Sequence, residues 1–254
     1  MKTSGIGQPE SRMTVRFRQR LLKTVGLGNP GHPFLVCAHR VRRAILQSDQ
    51  HLRDEYLCKA AKPKLHIGGG WRLLDGWLNT DIELIPKVMR MDATEPFPFA
   101  ENTFQYVYNE HMIEHVPHQK GARMLQECYR VMRGGGVIRV VTPNLAAIIG
   151  LYGGELCPEQ QEYLLWFCRT FVQDGPPDAV SAINAMLRQW GHQFLYDEKT
   201  LTESMCAAGF KSVQRCVLGE SPHHELQNME NEQRYPKGLL NFESVALEAV
   251  KVPA

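Results

Sequence analysis

The chain has 254 residues, of which 43% are hydrophobic and 22% are charged, and its formal net charge is +2. A chain of this size can bury a substantial core and is expected to form one main domain. The near-neutral charge argues against the strongly basic proteins that bind nucleic acid, so we expect no nucleic-acid partner. No apolar run approaches the roughly 18 residues of a membrane span, so we expect no transmembrane segment.

The seven cysteines are scattered, without the C-x-x-C spacing of a zinc ribbon. This pattern is typical of reduced, mostly buried thiols. The N-terminus also lacks the apolar core of a signal peptide. We therefore expect a soluble, cytoplasmic protein.

The N-terminal region differs from the rest of the chain in its composition and hydrophobic periodicity. Residues 1–33 contain glycine, proline and charge with little periodicity, which predicts a flexible arm. Its basic cluster Arg12–Lys23 is either solvated or in contact with an acidic partner or a membrane surface. Residues 34–62 carry apolar residues at spacings of three and four, which predicts a helical extension that could form a homodimer surface.

Short strands alternate with helical stretches over residues 63–254, the expected main domain. The predicted strands are, in chain order, "KLHI", "GWLNTDIE", "KVMRMDA", "FQYVYNE", "VIRVVTPN", "KSVQRCVLG" and "ESVALEAVKV". "HQKGARMLQECYRVMRGGG" predicts a helix that stops at glycine, and "DEKTLTESMCAAGF" predicts one with Asp197 as N-cap. Residues 145–192 are expected to form a helical insertion. The alternation predicts an α/β fold with a mostly parallel sheet, helices on both faces and a C-terminal antiparallel hairpin.

Chemically useful residues follow three successive strands. Gly68, Gly69 and Gly70 follow the first strand, Asp81 ends the second, and Asp92 ends the third. Open α/β sheets bind ligands beyond the carboxyl ends of their strands. Each feature alone has a plainer explanation, because glycine-rich turns are often structural and acids at strand ends are often solvated. In this order they predict a nucleoside pocket.

Four stretches carry a resemblance to a known family: "KLHIGGGWRLLDGWLNTDIE", "MDATEPFPFAENTFQYVYNEHMIEHV", "ECYRVMRGGGVIRVVTPNL" and "LTESMCAAGF". They resemble the S-adenosylmethionine-dependent methyltransferases of the Rossmann-like class, particularly small-molecule or sugar methyltransferases. The resemblance implies a doubly wound, seven-stranded Rossmann-like sheet and S-adenosylmethionine as cofactor. It implies that the glycine turn Gly68–Gly70 cradles the amino-acid end of the cofactor and that Asp81 holds its ribose.

The resemblance also assigns the remaining cofactor contacts. Asp92 with Ala93 would lie beside the adenine, and Asn109 with Glu110 beside the methionine portion. The sequence departs from the family pattern in having His66 where an acid is usual, and Trp71 and Arg72 where a third glycine is expected.

Histidines are the candidate bases for methyl transfer to a hydroxyl of a small molecule, possibly a carbohydrate, because their pKa lies near neutrality. We rank His111 and His192 first as bases, and either Tyr196 or Glu110 could orient the acceptor. The further candidates for binding the acceptor are His115, Tyr196, His223 and His224. Aromatic residues of the insertion could add a wall for a sugar or planar ring: Tyr152, Tyr163, Trp166 and Trp190.

Three alternatives stay open. "HMIEH" matches the H-x-x-E-H pattern in which His111 and His115 bind zinc and Glu114 activates water, as in a zinc-dependent hydrolase. Pro117 leaves little room for the long helix that such a site needs. A divalent ion, held with the help of these histidines and nearby acids, could instead polarise the acceptor hydroxyl during methyl transfer. The chain could also bind the cofactor without catalysis.

Overall fold

The computed structural model describes residues 48–172, 176–231 and 235–253. The predicted arm 1–33 and most of the predicted extension 34–62 lie outside the described residues. The described part of that extension is helix α1 (Ser48–Lys59). The predicted domain boundaries stay a prediction.

A seven-stranded sheet organises residues 51–254, which form one compact unit. The strands are β1 (Lys64–Ile67), β2 (Leu78–Asp81), β3 (Met89–Arg90), β4 (Phe104–Glu110), β5 (Met132–Pro143), β6 (Lys211–Cys216) and β7 (Ser244–Val250). Their spatial order is β3-β2-β1-β4-β5-β7-β6. The first five strands are parallel, and β7 runs antiparallel to both β5 and β6. The predicted fold class, a mostly parallel sheet with two antiparallel strands at its C-terminal end, is confirmed.

The helices follow the strands in chain order: α2 (His118–Val131), α3 (Leu145–Gly150), α4 (Pro158–Phe167), α5 (Ala179–Arg188), α6 (Glu198–Ala207) and α7 (Leu239–Glu243). Short 3-10 turns cover Ile113–His115 and His224–Leu226, and a π-helical turn covers Cys168–Val172. Among the residues described, no helix combines the length and apolarity needed to cross a membrane.

The junction between α2 and β5 differs from the prediction. The sequence predicts a helix that continues to glycine, but α2 ends at Val131 and β5 starts at the next residue. Met132 pairs with Phe104 of β4, and the register then shifts before Tyr106 pairs with Val137. Strand pairing therefore begins ahead of the glycines, which lie within the irregular part of β5.

The core has a sheet-centred part and an insertion-centred part. Helix α2 packs its apolar face on the sheet through Met124, Leu125, Cys128 and Val131, all of which are buried. The helices of the insertion enclose a second cluster with α7: Ile148, Tyr163, Phe167, Ala182, Met186 and Leu239. Helices α3, α4, α5 and α7 therefore share a hydrophobic cluster separate from that of the sheet, and part of this region borders the cavity described next.

Candidate active site

A cavity of about 520 Å³ opens where β1, β4 and β5 end. Because these strands are parallel, it lies at the carboxyl edge of the sheet, where the sequence predicts ligand binding. It gathers seven of the predicted site residues: Gly68, Gly69, Gly70, Glu110, His111, His115 and His192.

The glycine turn is held against β2 by backbone hydrogen bonds. The amides of Gly68 and Gly69 both donate to the carbonyl of Thr80, at 2.9 and 3.2 Å. Gly70 has a φ of +55° and open space where a Cβ would lie. Its amide donates to Asp81 Oδ2 at 2.8 Å, which joins the turn directly to the end of β2.

His66 fills the space behind this turn. It is 2% exposed, and its Nδ1 donates to Asn79 Oδ1 at 2.9 Å. Burial lowers the pKa of His66, which favours the neutral imidazole. The residue that stands where the family usually has an acid is therefore a neutral packing group.

Arg72 links the turn to two other parts of the cavity wall. Its guanidinium donates to Glu110 Oε2 at the end of β4 and to the carbonyl of Met229. The other carboxylate oxygen of Glu110 accepts a hydrogen bond from the amide of Asn231 at 2.9 Å. Both oxygens of Glu110 are thus engaged, so this predicted catalytic residue acts as an anchor between wall segments in this structure.

Partly exposed His111 and fully buried Glu114 form a pair in the wall of the cavity. The chain turns sharply after β4, where His111 has a φ of +48°. Its Nδ1 donates to Glu114 Oε1 at 3.2 Å, and its Nε2 lies 3.2 Å from Ser244 Oγ. Glu114 Oε2 accepts a hydrogen bond from Thr142 Oγ1 at 3.0 Å. Both ring nitrogens of His111 therefore have partners.

Mutual attraction sets the charge state of this pair. Burial works against the ionised form of Glu114, but the hydrogen bond and charge of His111 outweigh it and lower the pKa of Glu114. Burial likewise works against protonation of His111, and Glu114 outweighs it, so that the pKa of His111 is raised. Each partner thus shifts the other toward its charged form.

His115 and His192 meet at the same cavity, although they come from distant parts of the chain. Their ring centroids are 5.0 Å apart, in an edge-to-face arrangement. The Nδ1 of His192 donates to the carbonyl of Met186 at 2.6 Å, which leaves its Nε2 available. Burial lowers the pKa of His115 and favours its neutral form. Glu114 Oε1 lies 4.0 Å from His115 Nε2.

An aromatic wall comes from the insertion. Phe167, Phe171 and Trp190 border the cavity, and Trp190 packs edge-to-face on both phenylalanines. Trp190 was a candidate from the sequence, whereas the two phenylalanines were not, because apolar residues at helical spacing are usually core. Of the other aromatic candidates, Tyr163 is fully buried and Tyr152 is 70% exposed.

Several predicted site residues lie outside the cavity wall. Tyr196 is fully buried, packs on Phe194 and does not line the cavity. His223 packs near Tyr106, which pairs with Lys64 at the start of β1. His223 and the adjoining His224 are thus at the amino end of the parallel strands, opposite to the end predicted for them.

The remaining predicted cofactor contacts are built into local structure. Asp92 Oδ1 accepts hydrogen bonds from the amide and hydroxyl of Thr94, and Ala93 packs on the core. Asn109 is buried, donates to the carbonyl of Ile67 at 3.2 Å, and leaves its Oδ1 without a partner among the described residues. These three stay predictions as cofactor contacts.

The glycine turn and Asp81 fit S-adenosylmethionine. Gly70 presents bare backbone beside the cavity, with no atom within 4 Å of an added Cβ, so a bulky ligand can approach there. Each carboxylate oxygen of Asp81 accepts one backbone amide, from Gly70 and from Glu83. A carboxylate oxygen has two acceptor sites, so both retain capacity for ribose hydroxyls.

Residues 72–140 match the family model described as a methyltransferase domain. The match begins just after the glycine turn and runs from β2 into β5. It confirms the predicted resemblance over this stretch and supports S-adenosylmethionine as the cofactor. No curated protein sequence matches the chain.

Three solved structures show distant likeness to the chain. A SAM-dependent methyltransferase from Archaeoglobus fulgidus is 16% identical, with 86% of this chain and 99% of that chain covered and a TM-score of 0.44. A possible histamine N-methyltransferase from Thermotoga maritima is 17% identical, with 83% and 90% covered and a TM-score of 0.41. Phosphoethanolamine N-methyltransferase 2 from Haemonchus contortus, solved with S-adenosyl-L-methionine, is 15% identical, with 82% and 53% covered and a TM-score of 0.40. Likeness at this level says nothing about the methyl acceptor.

Proposed function

We propose that the protein is an S-adenosylmethionine-dependent methyltransferase that transfers the methyl group to a hydroxyl of a small polar molecule, such as a sugar or glycoside. The observation that carries the proposal is one cavity that contains both the glycine turn Gly68–Gly70 and the His115–His192 pair. Its volume of about 520 Å³ suits a small-molecule site. The methyltransferase family match over residues 72–140 supports the same chemistry.

Cofactor binding falls to the glycine turn and Asp81 in this proposal. When bound, S-adenosylmethionine supplies a methyl group on a positively charged sulfur, so the protein has to position the acceptor and manage its proton. Arg72 and Glu110 hold the turn, the end of β4 and residues 229–231 together, and so fix the shape of the space where the acceptor lies.

His192 is the residue best suited to accept the proton of the hydroxyl in the metal-free protein. Its Nδ1 is committed to the carbonyl of Met186, so its Nε2 carries the lone pair in the neutral ring. His111 is less suited because Glu114 and Ser244 engage both of its nitrogens. His111 therefore positions Glu114 in this proposal.

The aromatic wall supports an acceptor with an apolar face. Ring faces of Phe171 and Trp190 can pack against the C–H face of a sugar or against a planar ring. The six described cysteines are free thiols, which supports the predicted location in a reducing compartment such as the cytoplasm.

Calorimetry with S-adenosylmethionine tests the cofactor site. We expect the native chain to bind it and Asp81→Ala to bind roughly 10- to 100-fold more weakly, because a hydrogen bond to a charged group contributes about 1.5–3 kcal/mol. Asp75→Ala is the matched control, since Asp75 is an exposed acid in the same β1–β2 connection. Equal affinity in the native and Asp81→Ala chains would refute the placement of the pocket.

Release of S-adenosylhomocysteine in the presence of a panel of sugars, glycosides and simple alcohols tests the reaction. Turnover with a hydroxyl acceptor supports O-methylation. Binding of the cofactor without turnover on any hydroxyl, together with turnover on amines, would contradict the hydroxyl assignment. A chain that fails to bind the cofactor would refute the methyltransferase proposal altogether.

A further inference from the structure

A cluster of three potential metal ligands borders the cavity: Glu114, His115 and His192. Proton transfer by one imidazole does not require such a cluster. A carboxylate oxygen and one nitrogen from each ring all lie within 4.8 Å of one another, and all three residues border the cavity. We propose that these three residues bind one divalent transition-metal ion. Two imidazoles with one carboxylate are a donor set that holds Zn²⁺ and Fe²⁺ in proteins.

Two of the three side chains, Glu114 and His192, are held by a hydrogen bond from outside the cluster. Thr142 Oγ1 donates to Glu114 Oε2, which leaves Oε1 toward the histidines. The Nδ1 of His192 is bonded to the carbonyl of Met186 and leaves Nε2 as the ligand atom. The ring of His115 packs edge-to-face on that of His192, with ring centroids 5.0 Å apart. Side chains that bind metals are characteristically oriented by such hydrogen bonds from residues outside the site. A surface histidine does not require one.

The spacing needs only a small contraction to hold an ion. His115 Nε2 and Glu114 Oε1 are 4.0 Å apart. Ligands of a four-coordinate ion with bonds of about 2.1 Å lie roughly 3.4 Å apart. The widest separation in the cluster is up to 4.8 Å and has to contract by up to about 1.4 Å, which corresponds to a movement of about 0.7 Å by each of the two atoms. Three protein ligands leave at least one position open on the cavity side, which is the arrangement of catalytic rather than structural sites.

This site differs from the zinc hydrolase pattern of "HMIEH". Residues 113–115 form a 3-10 turn rather than part of a long helix, so His111 and His115 do not share a helix face. His111 instead donates to Glu114 Oε1, the proposed ligand oxygen, at 3.2 Å. The third ligand comes from His192, which is far away in the sequence.

The role of the ion rests on the proposed function, but the site itself does not. A hydroxyl bound at the open position becomes more acidic, because the positive charge stabilises the alkoxide. With the ion present, His192 Nε2 is a ligand, and the hydroxyl releases its proton to solvent water. The ion thereby promotes loss of the proton from the hydroxyl in place of the free His192 imidazole. It also fixes the acceptor oxygen in the cavity.

Titration of the chelator-treated full chain with Co²⁺, followed by visible absorption, tests the site. We expect one Co²⁺ per chain, displaced by Zn²⁺. His115→Ala and His192→Ala should each weaken binding by more than the 10- to 100-fold that loss of an outer partner costs, and Thr142→Val should weaken it within that range. His224→Ala is the control, because His224 is an exposed histidine outside the cavity.

Calorimetry with S-adenosylmethionine on the same samples shows whether each variant is folded. It also separates the proposal of the ion site from the proposed function. Loss of Co²⁺ in the two histidine variants with cofactor binding intact supports the ion site. The ion-site proposal is overturned if the chain shows no stoichiometric binding of Co²⁺ and Zn²⁺, or if binding persists in both variants. This holds whether or not the chain binds the cofactor. Stoichiometric Co²⁺ that requires both histidines, in a chain that does not bind the cofactor, supports the ion site and refutes only the proposed function.

Discussion

His66 determines how closely the glycine turn can pack against β1. A Cβ on Gly69 would lie 2.3 Å from His66 Cε1, well inside contact distance. The imidazole cannot easily withdraw, because it is buried and bonded to Asn79. Gly69 does not have a positive φ, so the backbone itself would accept alanine. The requirement for glycine at this position therefore comes from the neighbouring ring.

Gly69→Ala is expected to lower the free energy of unfolding by about 1–3 kcal/mol, the usual cost of overpacking. His66→Ala removes the clash, so the double variant should lose less than the sum of the two single variants, with a coupling of about 0.5–3 kcal/mol. Urea unfolding measures both. Gly153→Ala is the control, because no atom lies within 4 Å of its added Cβ. Strictly additive losses would show that the ring and the turn do not interact in this way.

Residues near strand ends were predictable, whereas their partners were not. Gly68–Gly70 and Asp81 could be predicted because the carboxyl edge of a parallel sheet is a general place for ligands. The pairing of His115 with His192, and of Arg72 with the carbonyl of Met229, depends on tertiary packing. No local pattern in the sequence encodes which distant loop reaches the cavity.

At the scale of elements, the segment between α5 and α6 brings His192 to the cavity. The amides of Gln193 and Phe194 both donate to the carbonyl of Glu114, at 2.8 and 3.2 Å. The segment then ends at Asp197, whose side chain accepts a hydrogen bond from the amide of Thr200 at 2.7 Å and caps α6. This cap was predictable because its signal is local, unlike the start of β5, which pairing with β4 decides.

Asp197→Ala is expected to lower the free energy of unfolding by about 1 kcal/mol near neutral pH. Asp197→Asn should retain most of the stability that the cap contributes, since asparagine also caps helices. The bond from Thr200 lowers the pKa of Asp197 below its ordinary 3.8. A depressed pKa gives stability that is complete above the unfolded value and is lost as pH falls through the folded value.

The advantage of the native chain over Asp197→Ala should therefore shrink below about pH 4, whereas that of Asp197→Asn should stay nearly constant. Urea unfolding across this pH range compares the three proteins. A native advantage that does not change with pH would mean that the ionised carboxylate is not the capping group.

At the scale of the whole molecule, a buried arginine connects the sheet to the cavity wall. Arg139 of β5 is fully buried, and it donates to Glu230 Oε1 at 2.6 Å and to Glu248 Oε1 at 2.7 Å. Glu230 lies between Met229 and Asn231, the two residues that contact Arg72 and Glu110. The centre of the sheet and the rim of the cavity are thus joined through one loop.

Arg139→Met is expected to destabilise the protein by about 3–5 kcal/mol, because two buried carboxylates lose their cation. Combining it with Glu230→Gln and Glu248→Gln should recover part of this loss, since no unpaired charge then remains buried. Chemical denaturation gives the stabilities. A loss in Arg139→Met no larger than that in the triple variant would argue against charge compensation as the role of Arg139.

The last strand among the described residues, β7, lies inside the sheet, between β5 and β6. During synthesis, β5 therefore keeps one edge unpaired until residues 244–250 have left the ribosome. Within the described sheet, β6 has β7 as its only neighbour and stays unpaired for the same interval. Open strand edges invite pairing with other chains. The sheet of the nascent protein therefore closes only after β7 has been made, and binding by chaperones is expected mainly before that point.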